Sequence, residues 1–180
     1  MTFHHHTTLN EIRAAGPCPD GWKKLMHGLG KTAADNEPLD LLTVLDINGF
    51  DDALWVLQVP SLERLSRHFQ AWCAEHVLHL FEAKRPNDMR IRDQIAMMRN
   101  DAATDAARDA ARDAARDAAR ETAGGALAAY DAAWAAAWST ARGAAWAAVW
   151  STARGAARGV VAVACDAQER QLRAMCGEPQ

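Results

Sequence analysis

Residues 101–120 read DAATDAARDAARDAARDAAR, and beyond Gly124-Gly125 the same four-residue beat resumes at 134–157 as WAAAWSTARGAAWAAVWSTARGAA. Alanine fills 27 of the 60 positions from 101 to 160. It has the highest helix propensity of any residue, so both halves are predicted to be helical, with a break at the paired glycines, which cost about 1 kcal/mol each inside a helix. The expected product is a helical hairpin. A four-residue period advances about 40° per repeat on a helix of 3.6 residues per turn, too far from the 3.5 of a left-handed coiled coil to make a long straight rod. It builds alanine-lined ridges instead, suited to helices that cross at close range in a compact bundle.

The polar positions of the first half form acid-first pairs three residues apart: Asp105-Arg108, Asp109-Arg112, Asp113-Arg116 and Asp117-Arg120. Each pair contributes a few tenths of a kcal/mol, and together they neutralise the arginine row, which argues against a nucleic acid surface. In the second half a twelve-residue unit occurs twice, at 134–145 and 146–157. Twelve residues leave a net rotation of about 120°, so Trp134 and Trp138 cannot share a face with Trp146 and Trp150 on one straight helix. A helix from Ala126 to Met175 would be about 75 Å long, and an interruption is predicted between 139 and 159. The four tryptophans are read as core anchors, the other reading being an exposed aromatic binding surface.

Upstream, Thr8 and Glu11 have the spacing of a capping box, which predicts a first helix over 8–15 stopped by Gly16-Pro17. His4, His5 and His6 are read as a disordered terminus. Trp22–His27 can make one or two turns, and 28–36 reads as loop. Pro38 is placed at the first position of a helix through LDLLTVLDI, ended by Asn48-Gly49 and followed by a helix capped by Asp51 or Asp52. Asn-Gly between apolar runs is also a hairpin signal, but leucine and alanine outnumber β-branched residues here. Ser61–Ala83 is the clearest amphipathic helix, with Leu62, Leu65, Phe69, Trp72, Cys73, Val77 and Leu80 in one broad stripe. The next helix, after Arg85-Pro86-Asn87-Asp88, is expected to run through Ile91, Ile95 and Met98 into the alanine repeat. The fold class is therefore all-α, a compact multi-helix bundle. It is read as one domain over 1–180, with N-terminal helices over 1–86 and an alanine-rich half over 87–180.

The net charge of −3 conceals an uneven distribution. Between Lys31 and Arg64 stand seven acids and no base, a one-signed segment toward which a cationic partner would be steered. Asp35, Glu37, Asp40, Asp46, Asp51 and Asp52 are its candidate partner-binding residues, with Trp55 as an apolar anchor. Apolar runs fall far short of the roughly 20 residues needed to cross a bilayer, and no signal-peptide pattern opens the chain. A cytoplasmic protein that does not bind membranes is expected. The four cysteines lack any CxxC pairing and read as small buried hydrophobes, without a disulfide framework. His68, Cys73, His76 and His79 make the most metal-like text, but no second ligand pair matches them, so no metal or cofactor is expected. GxSxG, P-loop, GxGxxG and HExxH patterns are absent, and no catalytic residue is assigned.

LNEIRAAGPCPDGW at 9–22, DDALWVLQ at 51–58, LSRHFQAWCAEHVLHLFE at 65–82 and the DAAR and WAAAW repeats together resemble the immunity proteins of bacterial polymorphic toxin systems, of the immunity-5-like group. The resemblance implies an all-helical, non-catalytic protein that binds a cognate toxin and blocks it. Many such toxins act on nucleic acid and are basic, so the acidic segment is the expected docking surface. A helical scaffold acting through self-association is the other reading.

Overall fold

The computed structural model describes residues 3–83, 85–122 and 158–177. The glycine pair, both tryptophan-containing repeats and nearly all of the interval in which an interruption is expected lie outside them, as do the side chains of Leu80 and Arg120. Helix dominates the described residues, with eight α-helices and a single pair of two-residue strands, so the chain is all-α in class. It divides into two compact units, one of residues 1–66 with 169–180 and the other of residues 67–168.

The first unit begins with β1 (His6–Thr7), antiparallel to β2 (Leu39–Asp40), in a register that sets His6 opposite Asp40 and Thr7 opposite Leu39. The histidine run is thus part of an ordered segment, contrary to the expectation of a disordered terminus. Backbone pairing supplies the reason: the Leu41 amide donates to the His5 carbonyl at 2.9 Å, and the Phe3 amide donates to the Met175 carbonyl at 3.1 Å. Phe3 itself is buried, with the Arg64 guanidinium 5.0 Å above its ring.

Helix α1 (Leu9–Ala14) opens with the predicted capping box. Thr8 Oγ1 accepts from the Glu11 amide at 3.1 Å, and the Glu11 carboxylate takes the Thr8 backbone N–H in return. The same carboxylate accepts from Thr7 Oγ1 at 2.7 Å and from Ser61 Oγ at 2.6 Å. Helix α2 (Pro19–Gly28) is longer than the one or two turns expected, because Cys18 Sγ caps it and Pro19 starts it. Its last residue, Gly28, approaches α3 (Leu41–Asn48) so closely that a Cβ would meet Ile47 Cγ2 at 2.5 Å.

Helix α3 begins later than Pro38, because Leu39 and Asp40 are spent in β2 and Asp40 then caps the helix through a 2.8 Å bond from the Leu42 amide. It ends at Asn48-Gly49, as a helix stop and not as a hairpin. Gly49 has φ +95°, a conformation side chains disfavour, and it leads directly into α4 (Phe50–Val56), so neither Asp51 nor Asp52 is the cap. A 3₁₀ turn at Pro60–Leu62 takes up the start of the helix expected from Ser61.

Helix α5 (Glu63–Glu82) follows. Leu62, Leu65, Phe69 and Cys73 of the predicted stripe are buried, whereas Trp72 and Val77 are only half-buried. In the second unit, Ala71, Ala74, Leu78 and Phe81 of α5 form a core with Ile91, Ile95 and Met98 of α6 (Arg90–Arg99) and with Ala115 and Ala118 of α7 (Asp105–Thr122). Helices α6 and α7 are separate elements where a continuous helix was expected. Asn100 leaves helical conformation at ψ 100°, and Thr104 Oγ1 restarts the helix by accepting from the Ala107 amide at 3.2 Å.

Along α7 the acid-first pairs form as predicted, at 2.8 Å for Asp105-Arg108, 2.6 Å for Asp109-Arg112 and 3.5 Å for Asp113-Arg116. One alanine face is thereby left for the core. The last helix, α8 (Arg158–Cys176), contributes buried Leu172, Met175 and Cys176 to the first unit.

Two measurements test this packing. Ala115→Leu should cost about 1–3 kcal/mol by overfilling the core, whereas Ala110→Leu on the exposed face should be close to neutral in denaturant unfolding. Hydrogen bonds from Ser61 and Thr7 hold the Glu11 pKa below its ordinary 4.5. Its stabilising contribution is therefore complete above pH 4.5 and is lost as pH falls through the lower folded value. Ser61→Ala should move the Glu11 pKa back toward 4.5 in an NMR titration and cost about 1 kcal/mol near neutral pH.

Candidate functional site

The six candidate acids of the segment are dispersed by the fold into three groups. Asp35 and Glu37 lie on the loop before β2, where Lys31 Nζ bridges them at 2.5 and 2.6 Å. That bridge lowers the Asp35 pKa and raises that of Lys31, so the nominally base-free stretch carries its own counter-charge there. Asp40 forms the second group by itself. One carboxylate oxygen caps α3, and the other stands 3.6 Å from His5 Nε2.

The third group belongs to the α3–α4 corner. Asp46 is paired with Arg173 at 2.7 Å, so a cation 127 residues downstream neutralises it. Asp52 accepts from Asn48 Nδ2 at 2.7 Å, and the same amide donates to the Gly21 carbonyl at 2.8 Å. Asp52 therefore helps fasten α2 to the corner. Asp51 is exposed in the first turn of α4, and no cation among the described residues pairs with it. Trp55, one turn further along the same helix, is half-buried. Of the six candidate acids, Asp51 is the one with no ion-pair or hydrogen-bond partner among the described residues, and Trp55 lies half-buried one turn from it.

A cleft of about 390 Å³ opens in the first unit, lined by His6, Lys31, Asp35, Glu37, Asp40 and Thr43 together with apolar side chains that include Leu9 and Leu29. Sequence reasoning found the acids of this cleft but not its histidine. The missed signal was the histidine run itself, which becomes informative only once the β1–β2 register sets His6 against Asp40.

The four residues of the metal-like text on α5 are not brought together. His68 Nε2 faces Asp101 at 3.2 Å, the His76 ring lies 3.8 Å from that of Trp72, and His79 Nδ1 donates to the His76 carbonyl at 3.1 Å. Cys73 is buried, and burial pushes its thiol up to about 12. Among the described residues, the group of three metal-capable side chains that does converge is His5, His6 and Asp40.

Cys18, exposed at the start of α2, should react with a thiol reagent before Cys73, which stays protected until the chain unfolds. At pH 8 a thiol of pKa near 12 holds about a thousandfold less thiolate than an ordinary cysteine, so peptide mapping after brief alkylation should find Cys18 labelled and Cys73 not. No protein-family model, no curated protein and no solved structure matches this chain.

Proposed function

We propose that this protein is a non-catalytic immunity protein that binds a basic cognate toxin and blocks it, with the α3–α4 corner as its docking surface. The resemblance noted in the sequence supplies the class of partner. The observation that supports the location is the exposed Asp51 carboxylate, without a cation among the described residues, one turn before half-buried Trp55. An acid beside a partly exposed indole combines long-range steering of a cationic partner with an aromatic anchor of the type that dominates binding energy.

Within the acidic segment, Lys31 and Arg173 offset Asp35, Glu37 and Asp46, so these acids contribute less to the outward field than their number suggests. Asp52 is tied into the fold through Asn48. Docking energy is therefore assigned to Asp51 and Trp55, and the other acids set the sign of the surrounding potential.

Co-expression with the cognate toxin provides the test. Asp51→Lys combined with Trp55→Ala should abolish protection while the helical circular dichroism is kept. Asp51→Lys alone should slow association about tenfold at low salt and less at high salt, as expected for a rim charge. Full protection by the double variant would remove the α3–α4 corner from the interface.

A further inference from the structure

We infer that His5, His6 and Asp40 form a binding site for a divalent transition-metal ion of the zinc type, at the edge of the cleft in the first unit. The three donor atoms already lie within 4.8 Å of one another, and all three residues are half-buried. His5 Nδ1 donates to the Phe3 carbonyl at 2.8 Å. That bond fixes the tautomer and leaves the Nε2 lone pair free, the arrangement by which metal-binding imidazoles are oriented.

Asp40 is oriented in the same way. Its Oδ1 is occupied by the Leu42 amide, which leaves Oδ2 directed at His5 Nε2 across 3.6 Å. This gap is too long for a hydrogen bond. It matches the separation of about 3.3–3.6 Å between two ligands that each stand about 2.0–2.2 Å from a tetrahedral zinc. His6 is the cross-strand neighbour of Asp40, and its ring centroid is 4.5 Å from that of His5. With its donor atom within 4.8 Å of the other two, His6 stands as the third ligand of the group.

Two imidazoles and one carboxylate suit zinc, cobalt, nickel or copper, and they do not suit magnesium or calcium, which prefer all-oxygen shells. Three protein ligands leave a fourth position open. His6 and Asp40 both line the cleft, so that position faces a space able to hold water or a small ligand. Lys31 lines the same cleft but is already paired with Asp35 and Glu37.

The test uses the full chain without an added histidine tag, titrated with zinc alone by calorimetry. One zinc per chain is expected, together with a rise in Tm on zinc addition. Asp40→Asn is the informative variant, because asparagine keeps the helix cap and all three histidines but loses the carboxylate charge. It should weaken zinc binding at least about tenfold, the lower range for loss of even an outer partner of a metal ligand. His5→Ala and His6→Ala should weaken binding as much, and His4→Ala should not. Zinc binding unchanged in Asp40→Asn would show that the histidine run binds by itself, and would overturn the site. So would an absence of binding at micromolar zinc to the folded chain.

Discussion

The Glu11 carboxylate is the constraint on which the first unit depends. It accepts from Thr7, at the end of β1, from the Thr8 backbone at the start of α1, and from Ser61 in the 3₁₀ turn fifty residues later. A carboxylate accepting several hydrogen bonds is stabilised in its charged form, so the folded arrangement and the ionised state support each other. With this tie in place, β1 is held beside the start of α1, and the pairing of β1 with β2 fixes where Asp40 stands. The position of His6 against Asp40 at the cleft follows from that placement.

Local chemistry was legible in the sequence. The capping box at Thr8, the stop at Asn48-Gly49 and the three acid-first pairs of α7 each rest on residues within four positions of one another. The α5 stripe was partly legible. Its members Leu62, Leu65, Phe69 and Cys73 are buried, but Ala71, Ala74, Leu78 and Phe81 form the core in the second unit, so the buried face moves round the helix as its packing neighbours change. Periodicity alone describes a single face and cannot anticipate that shift. The break at Asn100 was also missed, although Thr104 with Asp105 is itself a helix-start signal. Alanine-rich text on both sides masked it.

Charge was the least legible property. Seven acids without a base are adjacent in sequence, yet the chain brings Lys31 back onto two of them and Arg173 onto a third. Coulomb energy depends on distance in space, and at ordinary salt the screening length is about 8–10 Å. A base just outside a one-signed stretch, or far along the chain, can therefore neutralise what a linear count leaves unopposed. Asp51 keeps its exposure because it lies in the first turn of a short helix, where the helix dipole favours an acid that needs no cation.

The same contrast between spacing and placement separates the two histidine groups. On α5, residues three apart share a face, and that spacing suggested a metal site. Each donor there already has another use: a carboxylate for His68, an indole face for His76, a backbone carbonyl for His79, and burial for Cys73. His5 and Asp40 lie 35 positions apart and no helical spacing relates them, but backbone hydrogen bonds occupy one donor or acceptor of each and turn the other toward a common point. Convergence comes from this partial occupancy. A side chain with one polar atom committed and the other free is oriented, whereas a side chain with both free points at nothing in particular. In this protein the oriented pair arises where a two-residue ladder meets a helix cap, and neither element announces chemistry when read separately.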